Sequence, residues 1–335
     1  MRIVHVSHNG LPDPRVEKMA LTLKKQGHTL IFVGAQSIRF QNLGAFDETH
    51  FMPVGDVVTV VASRSMPKAW RKLFAELKPD VIHAHNIIAA RYAMMFDVPL
   101  VYDDHELWSE QRKVFRPDNL AKWVARQPYN AMIPIWEKRV VRAHPTLATN
   151  NNAAIALADK GARWVGVVPN VPRLDMVKDL PLDQERNGTV YVGRDFDLPR
   201  FLPHRDMTGL RERVSLNVVS NLPHRAMLEK LCEYSVGLTP WHSHPILRFK
   251  DQNRNYEYLH AGLHVFVNEQ IKSSFANDPY VSAYRNYHLL ADAISRLPGT
   301  EPLEIARHAR KLYAWERFEP VIVDAYERAT GRRLS

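Results

Sequence analysis

The 335-residue chain lacks features that define several classes of protein. Its one cysteine, Cys232, excludes an internal disulfide framework, and without a second thiol it is more typical of a small buried side chain than of a nucleophile. No uninterrupted run of about 18 apolar residues is present, so no membrane-spanning helix is predicted. The opening MRIVHVSHNG has no basic region followed by a long apolar one, so we expect no secretory signal and a cytoplasmic protein.

The sequence also lacks an internal repeat, a low-complexity tract and the GxGxxG fingerprint of dinucleotide-binding folds. Its composition is that of a globular protein, with 45% hydrophobic and 24% charged residues, and its length suffices for two domains. The formal net charge of +9 calls for an anionic partner: nucleic acid, an acidic membrane surface or a phosphorylated substrate. A basic but otherwise ordinary surface is the alternative.

Apolar strands alternate with amphipathic helices, which predicts an α/β protein with doubly wound parallel sheets. The chain opens with a strand at Arg2–Val6, a helix from Val16 to Gln26 that stops at Gly27, and a strand at Thr29–Gly34. Such sheets bind ligands beyond the carboxyl ends of their strands, so the polar segments that follow strands are candidate sites. Later strands are predicted at Val57–Val61, Leu100–Tyr102, Thr146–Ala148, Leu216–Ser220 and Val265–Val267.

Two polar clusters follow strands in the first half. Asp13 comes just before Pro14 and either belongs to a site or caps the following helix. His105 lies directly after a strand, between Asp104 and Glu106, where neighbouring carboxylates can set its pKa. A capping cluster around a satisfied histidine is the alternative there.

No metal site is predicted. His83 and His85 share one face of a strand, but no third ligand has a suitable spacing. Asp103 and Asp104 do not form the spaced DxD motif of a metal-dependent transferase. Cysteine or acidic partners at ligand spacing are also missing around His224, His242 and His244.

Basic and aromatic side chains are interleaved through residues 111–142. Aromatic rings at headgroup depth and cations against anionic lipid would place this segment on a membrane surface. Alternatively, the rings could stack on the bases of a nucleic acid. A third possibility is a core helix with solvated basic edges, which binds neither lipid nor nucleic acid.

The second half has two candidate binding segments. Gly193 and Arg194 end a strand and Arg200 follows, an arrangement suited to a diphosphate unless the arginines are simply solvated. The stretch NRNYEYLHAGLHVFV, residues 253–267, predicts a polar loop, a short helix, a stop at Gly262 and a buried strand. A carboxylate in the first turn of such a helix, here Glu257, can accept the two hydroxyls of a ribose or merely complement the helix N-terminus.

That stretch resembles the segment NKLFEYLAAGLPVVV of family 4 glycosyltransferases, which have the GT-B fold. Other segments resemble the same family in the expected order: HNGLPDPRVEKMALTLKKQGHTL with its Asp-Pro-Arg triplet, VYDDHELWSE, VVPNV, VYVGR and the closing AWERFEPVIVDAYERATG. The ordered set is better support than any one motif.

The resemblance implies two doubly wound Rossmann-like domains that face a central cleft, with a C-terminal helix that crosses back to the first domain. The implied divisions are residues 1–171 on the acceptor side, a linker at 172–187, a nucleotide-sugar domain at 188–313 and the helix at 314–335. The implied reaction moves a sugar from a nucleotide-diphosphate donor to a glycan, a lipid-linked sugar or another acceptor, without a metal or other cofactor.

The resemblance also implies roles for individual residues. His105, Glu106 and Asp13 are the candidate catalytic residues, and Arg15 and His85 are expected on the acceptor side. The donor would be bound by Gly10, Gly193, Arg194, Arg200, Asn253, Arg254 and Glu257. Because many glycosyltransferases extend lipid-linked sugars, we favour contact of residues 111–142 with an anionic membrane, at the inner face of the cell membrane, and expect no nucleic acid.

The chain departs from the family pattern at three positions. Phe249 stands where retaining members often carry a second glutamate, Arg254 replaces a lysine and His264 replaces a proline. Retention is favoured over inversion, for which Asp13, Asp104 or Glu106 could supply the general base. Three alternatives remain: a non-catalytic protein that binds nucleotide sugars or glycans, a sugar epimerase, and a nucleic-acid-binding protein.

Overall fold

The computed structural model describes residues 1–37, 44–52, 68–114, 120–193, 207, 209–275, 277–297, 299 and 301–333. The chain separates into two compact units. The first comprises Met1–Lys113, Pro117–Val168 and Phe318–Ser335, and the second comprises Val114–Arg116 and Pro169–Arg317. Residues 172–187, predicted as a linker, cluster with the second unit.

The first unit is built on a seven-stranded sheet in the order β3-β2-β1-β4-β5-β6-β7, in which all the pairings are parallel. The central strands are buried along their whole length, as expected for a sheet covered by helices on both faces. The strand predicted at Val57–Val61 lies outside the described residues. The strands are β1 Arg2–Ser7, β2 Thr29–Gly34, β3 Glu48–Phe51, β4 Val81–His85, β5 Leu100–Asp104, β6 Thr146–Ala148 and β7 Val165–Val167.

Helices follow the strands of the first sheet: α1 Pro14–Lys24, α2 Lys68–Leu77, α3 Asn86–Ala93, α4 Trp108–Val114, α5 Leu120–Ala143 and α6 Asn151–Asp159. The first helix begins two residues earlier than predicted, because Asp13 caps it. The Asp13 carboxylate accepts from the backbone N–H groups of Arg15 and Val16, at 3.0 and 3.2 Å, and Pro14 occupies the first helical position. None of the helices in the described part of the chain is both long enough and apolar enough to cross a membrane.

The second unit contains a five-stranded parallel sheet in the order β12-β11-β10-β8-β9. Its strands are β8 Thr189–Val192, β9 Leu216–Val219, β10 Val236–Leu238, β11 His264–Asn268 and β12 Val281–Tyr284. Its helices are α7 Leu174–Val177, α8 His224–Leu231, α9 Asn253–His260, α10 Glu269–Lys272, α11 Tyr287–Ser295 and α12 Pro302–Leu312, with 3₁₀ turns at Pro245–Phe249, Ser273–Phe275 and Trp315–Arg317.

The last helix, α13 Glu319–Thr330, belongs to the first unit and packs against β4, β5, β6 and β7. Lys25 pairs with Glu319 at 2.7 Å, and the Arg328 guanidinium lies 4.9 Å from the centre of the Trp164 ring. The fully buried Tyr326 hydroxyl lies 2.5 Å from His83 Nδ1. The predicted return of the C-terminal helix to the first sheet is confirmed.

The Tyr326 hydroxyl makes this docking testable. Replacing Tyr326 by Phe leaves His83 Nδ1 buried without that partner, so we expect the free energy of unfolding to fall by about 1–3 kcal/mol. Tyr280→Phe is the matched control, since its exposed hydroxyl donates to Glu304 at 2.6 Å and should cost less than about 1 kcal/mol. Urea unfolding followed by circular dichroism measures both, and equal losses would contradict the interpretation.

Candidate functional site

Three neighbouring strands of the first sheet end side by side in polar residues. In the register of the sheet, Ser7 of β1 pairs with His85 of β4, and His85 pairs with Asp103 of β5. Because the strands are parallel, their carboxyl ends gather residues far apart in sequence at one edge. His105 follows β5 directly, and its backbone N–H donates to Asn86 Oδ1 at 3.0 Å.

Asp103 is the centre of this cluster. It is fully buried, and the Arg15 guanidinium donates to both of its carboxylate oxygens at 2.7–3.1 Å. His105 Nε2 lies 3.0 Å and His85 Nδ1 3.3 Å from its Oδ2 atom. Burial raises the pKa of the Asp103 carboxyl, but Arg15 and the two histidines outweigh that effect and hold the pKa well below its usual range. Asp103 is therefore ionised at neutral pH.

The ionised carboxylate determines the tautomers of the histidines around it. Because Asp103 only accepts, both His85 Nδ1 and His105 Nε2 must carry the hydrogen that they present to it. Burial keeps the pKa of His85 below its ordinary value, so His85 is neutral and its Nε2 accepts from His5 Nδ1 at 2.9 Å. A directed chain of hydrogen bonds thus runs from His5 through His85 to Asp103. It leaves His105, with 13% of its side chain exposed, as the outermost ring.

Arg15 and His85 differ in place from what the sequence predicted. Both were expected to face an acceptor, yet they are 3% and 0% exposed. Their polar atoms are used inside the domain: Arg15 also donates to the Val168 carbonyl at 2.7 Å. They orient Asp103 and, through it, His105.

Gly10 has a packing contact in addition to its predicted role at the donor, which stays a prediction. A Cβ at this position would lie 2.6 Å from the Ala35 carbonyl oxygen and 2.8 Å from Ser37, so the loop after β1 packs against residues 35–37. The half-exposed Glu106 lies beside His105 at the outer side of the cluster.

His8 belongs to the cluster and was missed from the sequence. Burial and the neighbouring His105 lower its pKa to about 4, so it is neutral at physiological pH. Its buried Nδ1 atom finds no hydrogen-bond partner among the described residues, and its ring meets Trp108 edge-on at 5.6 Å. The position of His8, directly after the first strand, was the available signal.

Two groups of residues here could hold a metal ion, which corrects the argument that His83 and His85 lack a third ligand. One group is His5, His83 and His85, whose rings stack with centres 4.2–5.2 Å apart. The other is His85, Asp103 and His105, whose three ligand atoms are 3.0–3.3 Å apart. The third ligand comes from a neighbouring strand, so spacing along one segment could not reveal it. The Arg15 guanidinium already neutralises Asp103.

In the second unit, helix α9 lies against the carboxyl end of β8. Tyr258 packs the helix against β10. Its ring fits there because Gly237 of β10 has no side chain, and a Cβ at Gly237 would lie 2.3 Å from the ring. The Tyr258 hydroxyl accepts from the Val192 N–H at 2.7 Å and donates to the Leu238 carbonyl at 3.3 Å. The half-buried Asn253 is the first residue of α9, and no side chain in the described part of the chain caps the helix N-terminus. Uncapped N–H groups at a helix start favour an anion.

Arg254 is the cation of this region. Its guanidinium lies 5.0 Å from the Tyr191 ring centre and 5.9 Å from that of Trp241. Among the residues that the structure describes, its buried Nη1 atom has no hydrogen-bond partner, and it lies 3.1 Å from where a Cβ of Gly193 would be. An unused donor beside a glycine at a strand end is suited to a phosphate oxygen. Arg194 and Arg200, the other predicted phosphate ligands, lie outside the described residues.

Glu257 is held in a fixed orientation. It is 7% exposed, and its Oε1 atom lies 2.8 Å from His224 Nε2. Since α9 begins at Asn253, Glu257 is in the second turn of the helix, not the first as predicted. It lies three residues after Arg254, so the two side chains are neighbours on the helix surface.

Comparison with known proteins bears on both units. Residues 15–171, just under half of the chain, match the model of Glycosyltransferase Family 4. This segment is therefore similar to a glycosyltransferase family 4 domain. The predicted resemblance is thereby confirmed, and no curated protein matched the chain in sequence.

The fold of the chain is also found in solved structures, which cover 98% of it. Sucrose-phosphate synthase from Thermosynechococcus elongatus has a TM-score of 0.69 at 13% identity, with 98% of each chain covered. HepE from Anabaena, in complex with UDP and glucose, has a TM-score of 0.67 at 12% identity, with 98% of this chain and 99% of that one covered. A glycosyltransferase from Rickettsia africae has 0.65 at 12%, with 98% of each covered. The predicted GT-B fold is confirmed, and family and fold together support glycosyltransferase activity.

Asp104 gives the family 4 domain a testable dependence on pH. Burial, and then the neighbouring Glu137, raise the pKa of its carboxyl to about 7. A raised folded-state pKa stabilises at low pH, and that contribution is lost as pH rises from about 4 to 7. We therefore expect Asp104→Asn to match the wild type near pH 4 and to be more stable by roughly 1–3 kcal/mol at pH 8.

Urea unfolding at several pH values measures this difference. Asp324→Asn is the control, since Asp324 is 41% exposed in an ion pair with Arg328 and its replacement should change the free energy of unfolding by less than about 1 kcal/mol. Parallel stability curves for the wild type and Asp104→Asn would contradict the assignment.

Proposed function

We propose that the protein transfers a sugar from a nucleoside-diphosphate-sugar donor to a glycan or lipid-linked acceptor, in the synthesis of cell-surface polysaccharide or glycoconjugate. The observation that carries this proposal is the arrangement at the carboxyl end of β8. The unused Arg254 donor, Gly193 and the oriented Glu257 carboxylate lie together there.

The diphosphate and the ribose of a nucleotide-sugar donor each have a matching group at this place. Arg254 and the uncapped N-terminus of α9 would bind the diphosphate, which makes positive charge available to the leaving group without a metal ion. Glu257 would accept hydrogen bonds from the two ribose hydroxyls, with its second oxygen fixed by His224. HepE, which shares the fold, was crystallised with UDP and with UDP-glucose, which supports a donor of this class.

We infer that His105 acts at the reacting sugar. In the transfer, the bond between the sugar and the diphosphate breaks, a bond to the acceptor oxygen forms, and the acceptor proton is released. A histidine oriented by a buried carboxylate can hydrogen-bond the sugar or take such a proton. The ionised Asp103 stabilises a positive charge on His105 if that proton is taken.

We favour retention of configuration, because inversion needs a general base. Phe249 counts against retention, since it stands where retaining relatives often carry a second glutamate and is 4% exposed under Arg248. For inversion, Asp104 is poorly suited as the base. It is 1% exposed, and its oxygens accept from the Tyr102 hydroxyl and the Leu107 N–H. Glu106 and Asp13 remain the candidates for that route. Phe249 also supports the second hypothesis, a non-catalytic protein that binds nucleotide sugars.

Nucleotide binding tests the donor assignment. A ligand that binds only the folded state at about 100 times its dissociation constant adds about 2.7 kcal/mol of stability, so the matching nucleoside diphosphate should raise the melting temperature clearly. Arg254→Met should weaken that nucleotide by about tenfold or more, because a charge-assisted bond to phosphate is lost. Arg285→Met is the control, since Arg285 is 76% exposed and pairs with Glu269.

A thermal-shift screen of nucleoside diphosphates and their sugars gives the answer. Absence of a shift with every compound would contradict the donor site. Turnover then separates the two hypotheses: a transferase releases nucleoside diphosphate from the best donor, and Glu257→Ala loses that release. Binding without release would favour the non-catalytic protein.

A further inference from the structure

Helix α5, Leu120–Ala143, is fixed to the first unit along one face. Tyr129, Ile133, Val140 and Val141 are buried on that face. The fully buried Glu137 accepts from the Ser109 N–H at 3.2 Å and pairs with Lys160 at 2.9 Å. The Arg91 guanidinium lies 3.9 Å from the centre of the Trp136 ring. The orientation of the helix is therefore set by the core of the unit.

The opposite face of α5 points outward and is apolar over most of its length. Val124 is 55% exposed and Ile135 56%, and the exposed Pro128 and Ala131 lie between them at three- and four-residue spacing. Trp123, beside Val124, is 50% exposed. Eight large apolar side chains of the described residues are exposed, and three of them are on this helix, so the concentration is not a property of the whole surface.

The same face ends in cations. Lys138, Arg139 and Arg142 are exposed and continue the spacing of the apolar residues. Residues 120–143 contain five basic residues, with Lys122 and Arg126 added to these three, and one acidic residue, the buried Glu137. No carboxylate of the helix balances the exposed positive charge.

We propose that this outward face, defined by Val124, Ile135, Lys138, Arg139 and Arg142, docks on the surface of an anionic lipid bilayer. The apolar residues enter the boundary between headgroups and acyl chains, and the cations at the end of the helix contact the headgroups. The apolar residues and the cations of the face then contact the bilayer together.

Other occupants fit the face less well. A second copy of the chain would bring like charges to the contact, with no exposed carboxylate on the helix to pair with them. A nucleic acid requires cations along the contact and rings that stack on bases, whereas aliphatic side chains occupy the middle of this face.

Vesicle flotation of the full-length chain tests the proposal and needs neither nucleotide nor acceptor, so its outcome is independent of the proposed catalytic function. The chain should float with vesicles of phosphatidylcholine mixed with phosphatidylglycerol at low salt, and much less with phosphatidylcholine alone or at high salt. Ile135→Asp should lower the partition coefficient by about tenfold or more. Lys138→Gln should lower it by about fivefold.

Ile155→Asp is the matched control, because Ile155 is 60% exposed on a different helix of the same unit. It should leave vesicle binding unchanged, and unchanged melting temperatures should show that all the variants are folded. No flotation with the mixed vesicles at low salt would overturn the proposal, as would an equal effect of Ile155→Asp. A concentration-dependent dimer that Ile135→Asp dissociates, in a chain that does not float, would assign the face to a second copy.

Discussion

Every pairing among the described strands of the two sheets is parallel, and the candidate chemistry of the protein depends on that constraint. Parallel strands end at the same edge, so residues 80 and 88 positions apart meet in the first unit: His5 with His85, and Arg15 with Asp103. In the second unit, the same constraint brings the glycine after β8 beside the helix that follows β10. Each site is therefore assembled from strand ends.

Within the first unit, one buried charge organises its neighbours. Asp103 remains ionised because Arg15 pairs with it through both nitrogen donors, and removal of one partner of such a pair typically costs about 3–5 kcal/mol. The ionised carboxylate fixes the tautomers of His85 and His105. The arginine of the Asp-Pro-Arg triplet thus acts on the candidate catalytic histidine from inside the domain. In the second unit, a contact with His224 orients the Glu257 carboxylate in a similar way.

Local signals predicted much of this structure from sequence. Short-range patterns predicted parallel strands and the ends of α1 and α9, and they gave the Asp13 cap as one of two alternatives. The ordered family motifs predicted the GT-B fold. Contacts between strands were not predictable in this way. The sequence gives no register between β1 and β4, so the link from His5 to His85 was missed. Arg15 was expected on the acceptor side, whereas it is buried against Asp103. The packing of Gly10 against residues 35–37 was likewise missed.

The central claim is that Glu257 recognises the ribose of the donor. Titration calorimetry of the wild type and Glu257→Gln, each with the best nucleoside diphosphate and its 2′-deoxy counterpart, tests it most directly. The wild type should prefer the ribose form by about tenfold or more, because a hydrogen bond to a charged group is worth about 1.5–3 kcal/mol. That preference should largely disappear in Glu257→Gln. An equal preference in both proteins would contradict the claim.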